Sequence, residues 1–242
     1  MKTTILIFLL FNVFLCSAQD SLFVKQTHTQ IFSLSPISKK VDKVNGLVFG
    51  VGHFENKNIE KQTINGLNIE ANPAPIAGVF IGFLSIIYMP EIIKNKSWKS
   101  SDSTRNDFKI ENWNYYPKLK INGINLSSGC FFVSTEMNGL NISLGNKFEK
   151  LNGISIAPLG TLSDKQNGFS LGIINANTIL NGAVFGLYNQ TYQLNGLQFG
   201  LVNQVQKSTG IQVGIFNRSY SRGLQFGIWN KNIKHSFPII NW

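Results

Sequence analysis

Few residues in this chain have types and spacing that could do chemistry. His53 and Glu55, in "GVGHFEN", are the one pair placed to share a ligand, because residues two apart in a strand point to the same face. Two polar groups at a strand end would look the same, and that plainer reading is the stronger. "VFGVGHF" contains Gly-x-Gly, but no lysine or helix follows it, so it lacks the parts of a phosphate cradle. Cys130, in "SSGCFFVST", would need a nearby base to act as a nucleophile, and none of His28, His53 and His235 lies in a motif that supplies one. A small buried thiol is the expected role. No aspartate or glutamate follows Asp164. The C-terminal part therefore holds no acid pair of the glycosidase kind and no carboxylate-assisted metal site, unless the N-terminal half contributes the groups. The sequence predicts no catalytic residue, no cofactor and no metal, and so a non-enzymatic protein.

The charge is lopsided as well as sparse. Twenty-two Lys and Arg stand against twelve Asp and Glu, a formal net charge of +10. Lys165, Lys207, Arg218, Arg222, Lys231 and Lys234 are the charges of the C-terminal region. Such a surface suits an anionic partner, such as an envelope polymer, or simply a solvated basic face. The cations are scattered and no nucleic-acid motif accompanies them, so no specific nucleic-acid partner is expected. Another surface protein is the second partner class. Trp98, Trp113, Tyr115 and Tyr116 could stack on sugars or meet a membrane interface, but more often such residues pin a long loop to its scaffold.

The first eighteen residues have the form of an export signal. Lys2 gives a positive start, Ile5 to Leu15 is apolar but for Asn12, and Cys16-Ser17-Ala18 supplies small residues before Gln19. Cleavage after Ala18 is expected, with lipidation of Cys16 the weaker alternative because bulky Leu15 precedes it. No later stretch is long and apolar enough for a transmembrane helix. The cell envelope, outer membrane or cell surface is the expected destination. The mature chain keeps a single cysteine, so its fold must stand without an internal disulfide.

What must position any site is a repeat. Gly139, Gly153, Gly168, Gly182, Gly196, Gly210 and Gly223 follow one another at intervals of 13 to 15 residues, most of them after an asparagine. Looser copies stand at Gly46, Gly66, Gly78 and Gly123, and the polar stretch 88–118 breaks the pattern as an excursion. A fixed short period is the mark of a repeat architecture. Within "NGLQFGLVN" the period is two, with Leu197, Phe199 and Leu201 on one face and Gly196, Gln198 and Gly200 on the other. Such alternation predicts short strands, and the recurrent Asn-Gly predicts turns between them. The repeat positions Gly182, Asn189, Gly196, Asn203, Gly210, Asn217, Gly223 and Asn230 are the candidate structural residues.

Two architectures use such a unit. In a parallel β-solenoid each repeat of about 14 residues makes one coil, with Leu197, Phe199 and Leu201 stacked inward and the asparagines forming ladders. In an antiparallel meander or outer-membrane barrel each repeat is one strand and a turn. Successive repeats are alike rather than alternating, and the apolar run is short for a bilayer, so the solenoid is the expected fold. The terminal "FPIINW" keeps the barrel open as the alternative, with a small pore or structural role attached. One all-β domain over 19–242 is expected, its ends covered by 20–43 and by "KHSFPIINW".

The Gly-φ-Gln-φ-Gly-φ-φ-Asn units at Gly196, Gly210 and Gly223 resemble those of the bacterial family of surface repeat-containing proteins. The likeness is good over 139–230, looser over 44–85, and absent from the 88–118 excursion. It implies export and a glycine-asparagine repeat architecture, and it carries no catalytic or binding residues. The lack of a good lipidation signal departs from the family's lipoprotein members. The functional expectation is an exported surface or envelope repeat protein with a structural or binding role.

Overall fold

The computed structural model describes residues 28–53, 61–73, 117–129, 131 and 133–242. In that range the chain forms thirteen strands and almost no helix. They are β1 (His28–Ser35), β2 (Val41–Gly50), β3 (Gln62–Glu70), β4 (Leu119–Ser127), β5 (Thr135–Ser143), β6 (Gly145–Ile156) and β7 (Gly160–Leu171). Then follow β8 (Ile174–Leu180), β9 (Ala183–Leu194), β10 (Leu197–Ser208), β11 (Ile211–Ser219), β12 (Leu224–Lys231) and β13 (Ser236–Asn241).

Each strand pairs with the next in sequence order, and every pairing from β1 to β12 is parallel. Parallel pairing of consecutive strands needs a return path, and the coil itself provides it. β7 shows how. Its residues Gly160 to Gln166 pair with β8, while Phe169 to Leu171 pair with β9. One strand thus bends around a corner and serves two faces of the coil. The parallel register decides between the two expected architectures: the chain is a parallel β-solenoid, whereas bacterial membrane barrels are antiparallel.

Register holds across the excursion. Gln62 to Glu70 pairs residue for residue with Leu119 to Ser127, so Asn65 meets Asn122 and Gly66 meets Gly123. Most of the stretch expected to leave the repeat, 88–118, lies outside the described residues, as does the export signal. Cys130 lies outside them too. At the far end β13 turns back and pairs antiparallel with β12, with Asn230 opposite Phe237 and Lys231 opposite Ser236. The C-terminal segment thus covers the last coil as expected, and β1 opens the sheet at the other end.

The inward face is the opposite of the expected one. Phe199 is 49% exposed and Leu201 46%, whereas Gln198, Gln212 and Gln225 are fully buried. A period of two separates two faces but does not say which of them is inside. The expectation put apolar residues inward because burying an unpaired amide is costly. In-register stacking removes that cost, because each amide finds an identical partner one coil away. The apolar interior lies elsewhere in the coil. Val44, Ile64, Ile121, Met137, Phe148 and Leu151 form it in the N-terminal half, and Leu180, Val184, Leu194 and Val205 in the C-terminal half.

One carboxyl group is held against its preference. Burial pushes the Asp164 carboxyl above its ordinary value of 3.8, Lys147 opposes this, and Glu149 adds to it. The folded chain therefore binds its proton more tightly than the unfolded chain. Stability from this group falls as pH rises from 3.8 through the raised value. Asp164→Asn is expected to raise the melting temperature at neutral pH and to lose that advantage in acid, which paired thermal melts would show.

Candidate functional site

The candidate site builds up from the asparagine ladder, because the ladder fixes which side chains can face outward. Asn175, Asn189, Asn203, Asn217 and Asn230 are all buried. Each passes a hydrogen bond to the next: Asn189 Nδ2 donates to Asn203 Oδ1 at 2.9 Å, Asn203 Nδ2 to Asn217 Oδ1 at 2.8 Å, and Asn217 Nδ2 to Asn230 Oδ1 at 2.7 Å. The second amide hydrogen is used as well. Asn203 Nδ2 donates to the Val213 carbonyl, and Asn189 Nδ2 to that of Phe199. The stacking expected from the repeat is present at these positions.

The ladder requires the glycines three residues before Asn189, Asn203, Asn217 and Asn230. A methyl group on Gly200 would stand 2.5 Å from Asn189 Nδ2, and one on Gly214 2.5 Å from Asn203 Nδ2. The Gly-x-x-Asn spacing is therefore a packing unit in which the amide occupies the volume that a Cβ would need. The backbone carbonyl of the preceding coil's glycine crowds these positions too, and at Gly182, Gly196 and Gly210 it and its neighbouring backbone atoms are the nearest contacts. Gly223 differs, since its nearest neighbours are the Ser208 Oγ and Cβ, at 2.7 and 2.8 Å.

Two further ladders run beside the first. Gln212 Nε2 donates to Gln198 Oε1 at 2.9 Å and Gln225 Nε2 to Gln212 Oε1 at 2.8 Å. Asn241 Nδ2, from the antiparallel final strand, ends that column on Gln225 Oε1 at 3.1 Å. The asparagines of the Asn-Gly pairs make the third, at a more exposed corner. Asn138 Nδ2 donates to Asn122 Oδ1, Asn152 Nδ2 to Asn138 Oδ1, and so on to Asn195. These pairs lie within or between parallel strands, and the hairpins that Asn-Gly usually signals do not form there.

With amides inside, large apolar side chains are left outside. The second outward position of each coil runs in register from Leu34 and Phe49 through Ile142, Leu171 and Phe199 to Phe226 and Ile240. Every residue of this column is apolar. A parallel column two residues earlier runs from Phe32 and Leu47 through Ile154 and Leu197 to Leu224, apolar throughout. Phe169, Phe185 and Phe199 stack along the face with ring centroids 5.1 and 5.3 Å apart. Over the C-terminal coils Phe185, Phe199 and Phe226, with Leu187, Leu201 and Ile228, line an open groove of about 1070 Å³.

His53 is also placed differently from its sequence reading. Its Nδ1 meets Glu70 Oε1 in an ion-pair contact, with both residues buried. Glu55 lies outside the described residues. Glu70 is seventeen positions away in sequence and reaches His53 only because β2 and β3 are in register, so no local spacing could reveal the pair. The Phe131 ring lies 6.4 Å from the imidazole and tilted to it. Tyr192 and Tyr220 carry cations over their rings: Lys207 Nζ at 5.5 Å and the Arg218 guanidinium at 4.6 Å. Among the described residues no group of three His, Cys, Asp or Glu is placed to hold a metal ion.

The outward columns, too, were missed by sequence reasoning. One signal existed: Gln198, Gln212 and Gln225 never vary, while their outward neighbours interchange Phe with Val and Leu with Ile. Invariance belongs to the ladder, where only an identical side chain completes the hydrogen bonds.

Fold and surface together define a β-solenoid repeat protein with an amide-laddered interior and an apolar outer face. Comparison with protein-family models, curated proteins and solved structures finds no match.

Proposed function

We propose that the chain is an exported, non-catalytic envelope repeat protein whose solenoid acts as a binding and structural scaffold. The observation that carries the reading is the uncharged apolar face that runs unbroken from Leu34 to Ile240. A soluble monomer rarely exposes so large a contiguous apolar patch without an interaction to cover it. The secretory pattern of residues 1–18 and the resemblance to bacterial surface repeat-containing proteins support an envelope location. The wide basic excess supports an anionic partner. Among the described residues no helix is long and apolar enough to cross a membrane.

The test is fractionation of cells making the untagged chain, followed by its intact mass. The expected result is an envelope-associated chain beginning at Gln19. A chain that keeps Met1 and stays in the cytosol would overturn the reading. A lipid mass on Cys16 would keep the scaffold and revise the mode of attachment.

A further inference from the structure

We propose that the apolar outer face is an interfacial docking surface for an anionic lipid bilayer, on which the solenoid lies lengthwise. The inference rests on the scaffold reading and names its partner. Three observations carry it.

The first is continuity. Both outward columns are apolar in every coil, and successive coils are ~4.8 Å apart, so the face extends for roughly 50 Å. A continuous apolar strip without charge, grooved over the C-terminal coils, is the sheet counterpart of the apolar side of an interfacial helix.

The second is the border. Lys43, Lys120, Lys150, Lys165 and Lys207 fall on one in-register column, interspersed with uncharged Thr63, Ile179 and Gln193, four residues before the first apolar column and with the half-buried asparagine ladder between them. Glu136 sits in that column and is shared by Lys120 and Lys150, at 3.6 and 4.0 Å, so cations stay in excess. Five residues beyond the second apolar column Lys147, Arg218 and Lys231 share another column, with uncharged Leu162, Ala176, Gln190 and Gln204 between Lys147 and Arg218. On the first of these sides the sequence of cations, amides and hydrocarbon is the order in which an anionic leaflet presents phosphate, headgroup and acyl chain.

The third is the corner. Trp229 is in register with Phe216 and half exposed beside Ile228, where an amphipathic ring would sit at headgroup level. A second copy of the chain would also cover the apolar columns, but it would set two cationic borders against each other.

The experiment is co-sedimentation of the full mature chain with vesicles. One set holds equal parts phosphatidylglycerol and phosphatidylcholine, the other phosphatidylcholine alone. The expected result is binding at least about tenfold tighter to the anionic vesicles, weakening as salt is added. Phe199→Glu with Ile228→Glu should abolish binding to both sets. Lys165→Glu with Lys207→Glu should lower binding to the anionic set by about tenfold or more and leave the neutral set unchanged. All four positions are outward-facing, and circular dichroism melts confirm that each variant folds. No vesicle binding by a folded wild-type chain overturns docking, as does binding indifferent to the Phe199 and Ile228 changes. A lipid-free dimer dissolved by those same changes, without vesicle binding, assigns the face to self-association instead. Each of these failures leaves export and the mature mass untouched, whereas a cytosolic chain removes the scaffold reading whatever the vesicles show.

Discussion

Gly153→Ala is expected to cost about 4 kcal/mol of stability. Two penalties coincide there. The backbone at Gly153 has φ +142°, a region that L side chains rarely adopt, worth ~1–3 kcal/mol. The new Cβ would also fall far inside van der Waals contact with the Gly139 carbonyl oxygen one coil below. That oxygen belongs to a paired backbone and cannot move aside, so overpacking adds another ~1–3 kcal/mol. Gly145→Ala is the control, because its Cβ would meet Leu159 Cβ at 3.3 Å and the Gly160 carbonyl at 3.4 Å, which a small shift relieves. It should cost less than about 1 kcal/mol. Thermal melts of the two variants decide the matter: similar melting temperatures would mean that the glycine column is not what holds the coils in contact.

Asn203→Ala is expected to cost about 3 kcal/mol, through the orphaned neighbours more than the lost bond. Asn217 Oδ1 loses its donor, the Val213 carbonyl loses a second donor, and Asn189 Nδ2 keeps only the Phe199 carbonyl. Each buried group left unpaired costs ~1–3 kcal/mol, and no water has ready access at a fully buried position. Asn203→Asp should be worse at neutral pH. A carboxylate there turns an acceptor toward the Val213 carbonyl and Asn217 Oδ1, where the amide had donated. The buried carboxyl would take its proton at a higher pH than in the unfolded chain, so the variant should regain stability as pH falls. Melts of both variants across acid and neutral pH test this. An aspartate variant as stable as wild type at neutral pH would show that the amide hydrogens are not needed.

These two variants also mark how far the sequence was legible. The period, the strand character and the stacking of equivalent asparagines could all be read from the glycine spacing and the recurrence of Asn189, Asn203 and Asn217. The side of the sheet could not. Gln198 and Phe199 alternate, and a local pattern assigns them to opposite faces without saying which face closes on itself. That depends on what a stacked coil does for an amide, a property of the assembled column rather than of any one repeat. Burial of Gln198 becomes favourable only because Gln212 lies one coil away in register. The His53–Glu70 contact failed for a related reason, since only the pairing of β2 with β3 brings those two residues together. Gly200 was legible as a repeat position, but its purpose, leaving room for the amide of Asn189, was not.

The residue-for-residue match of β3 with β4 has a consequence for how such chains change over generations. The chain between Glu70 and Leu119 is much longer than one repeat, yet β3 and β4 stay aligned, with Asn65 bonded to Asn122 at 2.7 Å. Register between neighbouring coils therefore does not depend on the length of chain that joins them, while the coils themselves accept new sequence only in whole units. Duplication of one coil's length inherits a complete neighbour above and below; any other length shifts glycine against asparagine and breaks three columns at once. Lineages carrying this fold should differ in the number of whole turns and in what hangs from their corners, and hardly at all in the content of a turn.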